Sequence, residues 1–219
     1  MKTHLKRLAA PKTWQINRKT NVYITKQNAG PHSLEMSMPL GVILKEVLNF
    51  ANTTREAKKI LNTSVVKIDG VARKDFRFPV GLFDTIEFPA INEHYKVTLN
   101  SKGKIELVKA KKEELSAKPC KIVGKTMVKG KLQLNLYDGK NVTVDKDEYT
   151  VGDSVVFSLN DKKISKHLKL HKKSTVFLTG GKHIGQTGHV EDIVKDKIIY
   201  KDAKGELAET SKQYAFVIG

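Results

Sequence analysis

The chain has 219 residues, of which 40 are Lys or Arg and 23 are Asp or Glu, so its formal net charge is +17. A hydrophobic share of 39% and an aromatic share of 7% favour several small cores joined by basic surface over one large core. A charge excess of this size indicates a polyanionic partner. No apolar run approaches the roughly 20 residues of a transmembrane helix, and no apolar signal-peptide segment follows the basic N-terminus. We therefore expect a soluble protein with no membrane partner.

The single cysteine, Cys120, rules out an internal disulfide and a zinc site with several cysteines. It stands at the start of a strand-like run, where we expect a small, semi-buried side chain. One cysteine is consistent with a reducing compartment, and we predict a cytoplasmic protein.

The segment of residues 1–36 has the most unbalanced charge, because its first 34 residues hold seven Lys or Arg and neither Asp nor Glu. It shows no sustained hydrophobic period, so we predict an extended basic arm, without a core, that folds on a partner. Its cations would neutralise phosphates, and Trp14 would offer a stacking face to a base. These cations are Lys2, Lys6, Arg7, Lys12, Arg18, Lys19 and Lys26. The alternative is a disordered, solvated tail.

Residues 37–92 show the pattern of two helices followed by strands. Apolar residues at helical spacing predict a first helix over Leu40–Ala51. Thr53-x-x-Glu56 is a capping box and predicts a second helix over Arg55–Leu61.

A hairpin and a further strand are expected after the second helix. Asp69-Gly70 lies between two strand-like runs and predicts a tight turn, and Thr85–Phe88 predicts a strand. The helix and the hairpin would form a concave basic surface that grips a folded RNA backbone without reading its sequence. The residues of this surface are Arg55, Lys58 and Lys59 on the helix and Lys67, Arg73 and Lys74 on the hairpin. The alternative is an ordinary solvated helix face.

Short strands separated by turns fill the rest of the chain. Their spacing predicts a small barrel-like domain over residues 93–170 and a second β domain over residues 171–219. The predicted strands are 95–99, 104–108, 119–123, 132–136, 142–144, 155–159, 175–178, 188–193, 197–200 and 214–218.

A lysine-rich run over residues 162–173 holds six lysines, of which we predict that Lys172 and Lys173 contact RNA. His167 and His171 have the spacing of metal ligands on a helix. Apolar residues alternate along this run and favour an extended chain, so we predict no metal site.

A glycine cluster follows, with Gly181, Gly185 and Gly188 in the spacing Gly-x-x-x-Gly-x-x-Gly. It is not a phosphate-binding P-loop. Glycine permits a positive φ and the close approach of a partner. We predict RNA contacts at Gly181, Lys182, His183 and Gly185, although a purely structural hairpin explains the glycines equally well.

Two local resemblances join these motifs to known RNA-binding modules. The segments Thr54–Leu61, Val65–Gly70 and Pro79–Ile86 resemble the "S-four-like" RNA-binding domain. Residues 179–190 resemble the KOW motif of small barrels in ribosomal proteins and transcription elongation factors.

The order of the parts resembles the "S-four-e" family of small-subunit ribosomal proteins of archaea and eukaryotes. The most specific elements are His4-Leu5-Lys6-Arg7-Leu8, Ala10-Pro11-x-x-Trp14, Gly30-Pro31-His32 and Met38-Pro39-Leu40. The chain ends soon after the KOW segment, which is similar to the shorter archaeal form.

This resemblance implies an α+β, mostly β fold. An extended basic arm (1–36) would precede an S-four-like domain (37–92), a central β-barrel-like domain (93–170) and an SH3-like KOW barrel (171–219). The implied function is a structural constituent of the small ribosomal subunit. Its partners would be small-subunit rRNA and neighbouring small-subunit proteins, with no cofactor and no small-molecule substrate.

Two other functions compete with this interpretation. An RNA-modifying enzyme would need a catalytic domain after residue 92, and residues 93–219 are too short and too basic for one. No nucleophile-elbow or metalloprotease pattern is present, so we predict no enzymatic activity. A KOW-type elongation factor would leave the basic arm unexplained.

Overall fold

A computed structural model describes residues 4–145, 147–159, 161, 163–202 and 205–219, and the backbone alone of Glu113. The chain divides into two compact units. The first unit comprises Met1–Thr98 and Lys104–Leu115, and the second comprises Leu99–Gly103 and Ser116–Gly219. Strands dominate and helices are few, which confirms the predicted mostly-β α+β class.

The basic N-terminal segment is folded into the first unit. Strands β1 (Leu5–Lys6) and β2 (Tyr23–Ile24) pair in antiparallel fashion. The side chain of Trp14 is buried, and the carbonyl oxygen of Thr13 accepts a hydrogen bond of 2.8 Å from the N–H of Ile105. The prediction that residues 1–36 have no core is therefore wrong. Ala10, Trp14 and Ile24 are buried in the first unit, whereas Leu8 and Val22 are exposed. No pattern internal to the segment shows which of its apolar side chains find a core.

The two predicted helices are present, and the second follows its capping signal closely. They are α1 (Leu40–Val42), which continues as a π-helical turn over Ile43–Val47, and α2 (Thr54–Thr63). Asn49, at a φ of 54°, follows the π-helical turn, so the first helix is shorter than predicted. The N–H of Glu56 donates to Thr53 Oγ1 at 3.2 Å, and the Glu56 carboxylate accepts from the N–H of Thr53, which confirms the capping box.

A five-stranded sheet with the order β5-β4-β7-β8-β9 lies in the first unit, beside the short ladder of β3 and β6. The strands are β3 (Ser37–Pro39), β4 (Lys67–Ile68), β5 (Val71–Ala72), β6 (Pro79–Gly81), β7 (Thr85–Phe88), β8 (Glu93–Leu99) and β9 (Ile105–Lys109). Asp69 and Gly70 have φ values of 49° and 74°, so the predicted hairpin turn is present and both of its central residues lie in the left-handed region.

Two antiparallel five-stranded sheets build the second unit, in the orders β12-β11-β10-β13-β14 and β18-β17-β16-β15-β19. The strands are β10 (Ala117–Val128), β11 (Lys131–Leu136), β12 (Asn141–Val144), β13 (Ser154–Ser158), β14 (Ile164–Leu168), β15 (Thr175–Leu178), β16 (Thr187–Val194), β17 (Lys197–Asp202), β18 (Leu207–Ser211) and β19 (Ala215–Val217). The alternation of apolar and polar residues predicted all of these strands except β18, and for β14 it favoured either a strand or an extended chain. Short 3₁₀ turns occupy Arg7–Ala9, Lys112–Ser116 and Lys212–Tyr214.

Strand β10 bends within the first of these sheets, and its two halves pair with different strands. Ala117–Lys121 pairs with β13, and Ile122–Val128 pairs with β11. The register shifts between Ile122 and Gly124, and such a bulge bends a strand. The sheet is therefore a half-barrel, with Cys120, Ile122 and Leu134 in its core.

Candidate nucleic-acid interface

Helix α2 presents the basic face that its sequence predicts. Ala57 and Leu61 are buried, whereas Arg55, Lys58 and Lys59 are exposed. Within the part of the chain that the structure describes, no carboxylate pairs with these three cations. An unpaired, exposed cation can exchange its water for a phosphate at low desolvation cost.

A cleft of about 490 Å³ lies beside this face, and we call it the basic cleft. Three parts of the first unit form its walls: the N-terminal segment, α2 and the chain that precedes β6. Its charged and titratable lining residues are His4, Lys26, Lys58, Lys74, Asp75 and Arg77.

The one carboxylate of the basic cleft, Asp75, is held by hydrogen bonds rather than by an ion pair. Its Oδ2 accepts from Asn28 Nδ2 at 2.9 Å, and its Oδ1 accepts from the N–H of Arg77 at 2.8 Å. Among the described residues, neither Asp75 nor another carboxylate neutralises the side chains of Lys58, Lys74 or Arg77. The positive charge of the cleft is therefore available to an anion.

The predicted hairpin residues divide between the cleft and the body of the first unit. Lys74 is exposed and lines the basic cleft, while Lys67 on β4 is half-buried. The guanidinium carbon of Arg73 lies 4.5 Å from the centroid of the Phe78 ring. Arg73 therefore stacks on a side chain of the protein itself, and the residue is half-buried.

Arg7 and Trp14 were predicted to contact RNA, and the structure corrects both predictions. Arg7 is 3% exposed; its Nη1 and Nη2 donate to the Glu46 carboxylate at 3.1 and 2.7 Å, and its Nε to the carbonyl oxygen of Asn17. Trp14 is 1% exposed, and its Nε1 donates to the carbonyl oxygen of Ser37 at 2.7 Å. Both side chains stabilise the fold, and neither offers a surface to RNA.

The other cations of the N-terminal segment differ in their roles. Lys6, Lys12 and Lys19 are exposed, as an RNA contact requires. Arg18 is half-buried and donates to the carbonyl oxygens of Ala10 and Pro11 at 2.7 and 2.6 Å. Lys2 lies outside the described residues.

In the second unit, the lysines predicted to bind RNA are exposed, but one of them has a partner. Lys172 Nζ lies 2.9 Å from Asp192 Oδ1. Lys173 and Lys182 are exposed. His183 is half-buried, and its ring lies edge-on to Tyr200 at 6.3 Å.

The glycines of the KOW-like loop serve the fold more than a ligand. Gly181 is exposed at a φ of 85°. Gly185 has a φ of 79°, and a Cβ there would lie 2.2 Å from the carbonyl oxygen of Asn100. The close approach that Gly185 permits is thus to the chain itself, and its RNA contact stays a prediction.

The sequence did not predict a network around Asp153, which precedes β13, and His167 on β14. His167 Nε2 lies 2.8 Å from Asp153 Oδ2, which also accepts from Thr150, while Oδ1 accepts from the N–H of Leu170 at 3.0 Å. Burial raises the pKa of Asp153, but these hydrogen bonds outweigh burial and lower that pKa below its ordinary value.

Among the described residues, no group of three or more His, Cys, Asp or Glu could hold a metal ion. None of the described helices has the length and apolar character to span a bilayer.

Comparisons with known proteins agree with this picture. Two family models match the chain: Ribosomal family S4e over residues 91–164 and the RS4NT (NUC023) domain over residues 1–35. A crystal structure of the 30S ribosomal protein S4e from Thermoplasma acidophilum is similar, with a TM-score of 0.73, 32% identity, and coverage of 84% of this chain and 95% of that chain.

Curated archaeal relatives extend the similarity to the full length. The chain is 42% identical to the small ribosomal subunit protein eS4 of Methanococcus aeolicus, over 99% of this chain and 93% of the relative. It is 44% identical to the protein of the same name from Methanocella arvoryzae, over 99% and 94%. These identities confirm the predicted resemblance, and the chain belongs to the small ribosomal subunit protein eS4 family.

Proposed function

We propose that this protein is a structural, non-enzymatic component of the small ribosomal subunit and binds small-subunit rRNA through its basic surfaces. Its place would be the cytoplasmic ribosome, beside other small-subunit proteins. The observation that carries the proposal is the row of exposed cations on α2, Arg55, Lys58 and Lys59, which no carboxylate of the described residues neutralises. Family membership supports the ribosomal setting.

The division into modules belongs to the same proposal. We infer an S-four-like domain from α1, α2, the β4–β5 hairpin and β7, a small barrel from the half-barrel of β10–β14, and an SH3-like KOW barrel from β15–β19. The boundaries after residues 36, 92 and 170 stay predictions. The N-terminal segment would contact RNA through Lys6, Lys12 and Lys19, and the second unit through Lys173 and Lys182.

Electrostatic binding to RNA predicts a strong dependence on salt. If about ten phosphates are contacted, log K should fall with log salt at a slope of about −7 to −9. A filter-binding titration of the full chain against an archaeal small-subunit rRNA transcript measures this slope. A slope near zero would contradict the proposal.

A charge reversal on α2 tests where the RNA binds. Arg55 is exposed, and among the described residues its side chain has no hydrogen bond or ion pair, so Arg55→Glu should weaken rRNA binding about tenfold or more without lowering the melting temperature. The matched control is Lys195→Glu, an equal charge change at the exposed turn between β16 and β17. Equal losses in both variants would show that net charge, and not the α2 face, determines binding.

A further inference from the structure

We infer that the basic cleft binds the phosphate and ribose of an unpaired RNA nucleotide, and that Tyr23, beside the cleft, stacks on its base. This inference rests on the proposed function and deepens it, because it names the kind of RNA element that one surface recognises. The helix face of α2 suits any RNA backbone, whereas a cleft with an aromatic neighbour suits a nucleotide that has left its helix.

The charge of the cleft fits a phosphodiester. Lys58, Lys74 and Arg77 supply three cations against the one carboxylate of Asp75, a formal excess of two. They come from two separate parts of the first unit, so folding brings together charges that are distant in sequence. Arg77 adds a planar fork of donors, which matches the oxygens of a phosphate.

The size of the cleft favours one nucleotide over a double helix. Its volume of about 490 Å³ falls within the roughly 300–1,000 Å³ of small-ligand sites. A phosphate and its ribose fit into such a space, whereas a duplex could touch only the rim. The apolar side chains of Ile24 and Phe76, which also line the cleft, can pack against the sugar.

Tyr23 provides the stacking face that Trp14 does not. Strand alternation on β2 turns Ile24 inward, where it is 9% exposed, and leaves Tyr23 outward at 55%. The ring of Tyr23 lies 5.5 Å from the ring of His4 at an interplanar angle of 75°. Because His4 lines the cleft and meets Tyr23 edge to face, the tyrosine ring is held next to the phosphate site.

Fluorescence anisotropy of the full chain with two labelled probes tests this inference. The probes are an oligouridylate and an RNA duplex, each of about 12 nucleotides or base pairs. The double variant Lys58→Gln/Lys74→Gln should bind the oligouridylate about tenfold more weakly. Its salt slope should be shallower by at most about 0.7, since the single phosphate in the cleft contributes about 0.7 on a single strand. Tyr23→Ala should also lose about tenfold, with the salt slope unchanged, because stacking releases no counterions.

The control variant is Lys129→Gln/Lys195→Gln, which removes two exposed lysines at hairpin turns of the second unit. Cleft variants that bind the oligouridylate like this control would overturn the inference. So would equal losses on the duplex and the single strand, since the cleft would then not select unpaired RNA. Circular dichroism confirms that each variant is folded. If the cleft variants bind normally while Arg55→Glu loses rRNA binding, the cleft inference fails and the proposed function stands.

Discussion

The ammonium of Lys121 on β10 donates a hydrogen bond of 2.7 Å to the carbonyl oxygen of Ala215, 94 residues away at the start of β19. The same ammonium donates to the carbonyl oxygens of Gln213 at 2.8 Å and Lys212 at 3.2 Å. Lys121 is 9% exposed. One buried side chain therefore satisfies three backbone acceptors at the turn that precedes the last strand, and it ties the two sheets of the second unit together.

Replacing Lys121 with Met should destabilise the second unit. The methionine fills most of the space but leaves the three carbonyl oxygens without their donor, at a cost of about 2–4 kcal/mol in the free energy of unfolding. Urea denaturation followed by circular dichroism measures the loss. Lys131→Met, which removes an exposed pair with Asp145, should cost less than about 1 kcal/mol. A Lys121 variant as stable as the Lys131 variant would mean that water serves the carbonyl groups equally well.

The same lysine should make stability depend on alkaline pH. Burial, with a smaller contribution from the charge of Lys212, lowers the pKa of Lys121 to about 8 from an ordinary 10.5. Between these values the unfolded chain holds a proton that the folded chain has released, so the free energy of unfolding rises with pH in this window. Wild type should therefore gain stability relative to Lys121→Met from pH 8 to pH 10.5. A constant difference between the two proteins would contradict the lowered pKa.

Local signals in the sequence predicted the local structure well. The Thr53 capping box, the Asp69-Gly70 turn and the strand Thr85–Phe88 each depend on residues within a few positions of one another. By contrast, the burial of Trp14 and the contacts of Lys121 depend on partners that are distant in sequence. The charge density near Trp14 indicated an arm. No pattern within the segment shows that Ser37 accepts a hydrogen bond from Trp14 or that Glu46 pairs with Arg7.

The candidate interface likewise has one part that local sequence patterns predicted and one part that they did not. The face of α2 was predictable because helical periodicity separates Arg55, Lys58 and Lys59 from buried Ala57. The basic cleft was not predictable as a site, because the side chain of Arg77 reaches it from a turn that has no motif of its own. Only folding brings those cations together.

Arg7→Met should lower stability and leave the electrostatics of RNA binding unchanged. Arg7 forms a bidentate ion pair with Glu46, whose side chain is 23% exposed. Because water can partly screen the carboxylate that is left behind, the cost should be about 2–3 kcal/mol, below that of a fully buried pair. Trp14 is the sole tryptophan of the chain, so its fluorescence during urea unfolding reports on this region. Lys6 precedes Arg7 and is exposed, so the control variant Lys6→Met should change the free energy of unfolding by less than about 0.5 kcal/mol.

RNA binding by the folded Arg7 variant separates its structural role from the predicted contact. Its salt slope should equal that of wild type, since a guanidinium that is 3% exposed neutralises no phosphate. A slope shallower by about 0.7–0.9 with unchanged stability would instead show that Arg7 leaves Glu46 to bind RNA.

Gly185→Ala should be more damaging than the same change at another glycine of similar backbone conformation. Gly185 has a φ of 79°, and its added Cβ would lie 2.2 Å from the carbonyl oxygen of Asn100, so the backbone must shift as well as accept a left-handed alanine. Gly130 in the same unit has a φ of 76° with open space around the added atom. Gly130→Ala should therefore cost about 1 kcal/mol and Gly185→Ala at least about 2 kcal/mol more, as measured by urea denaturation. If both cost the same, the loop moves freely away from Asn100, and the close contact does not explain the glycine at this position.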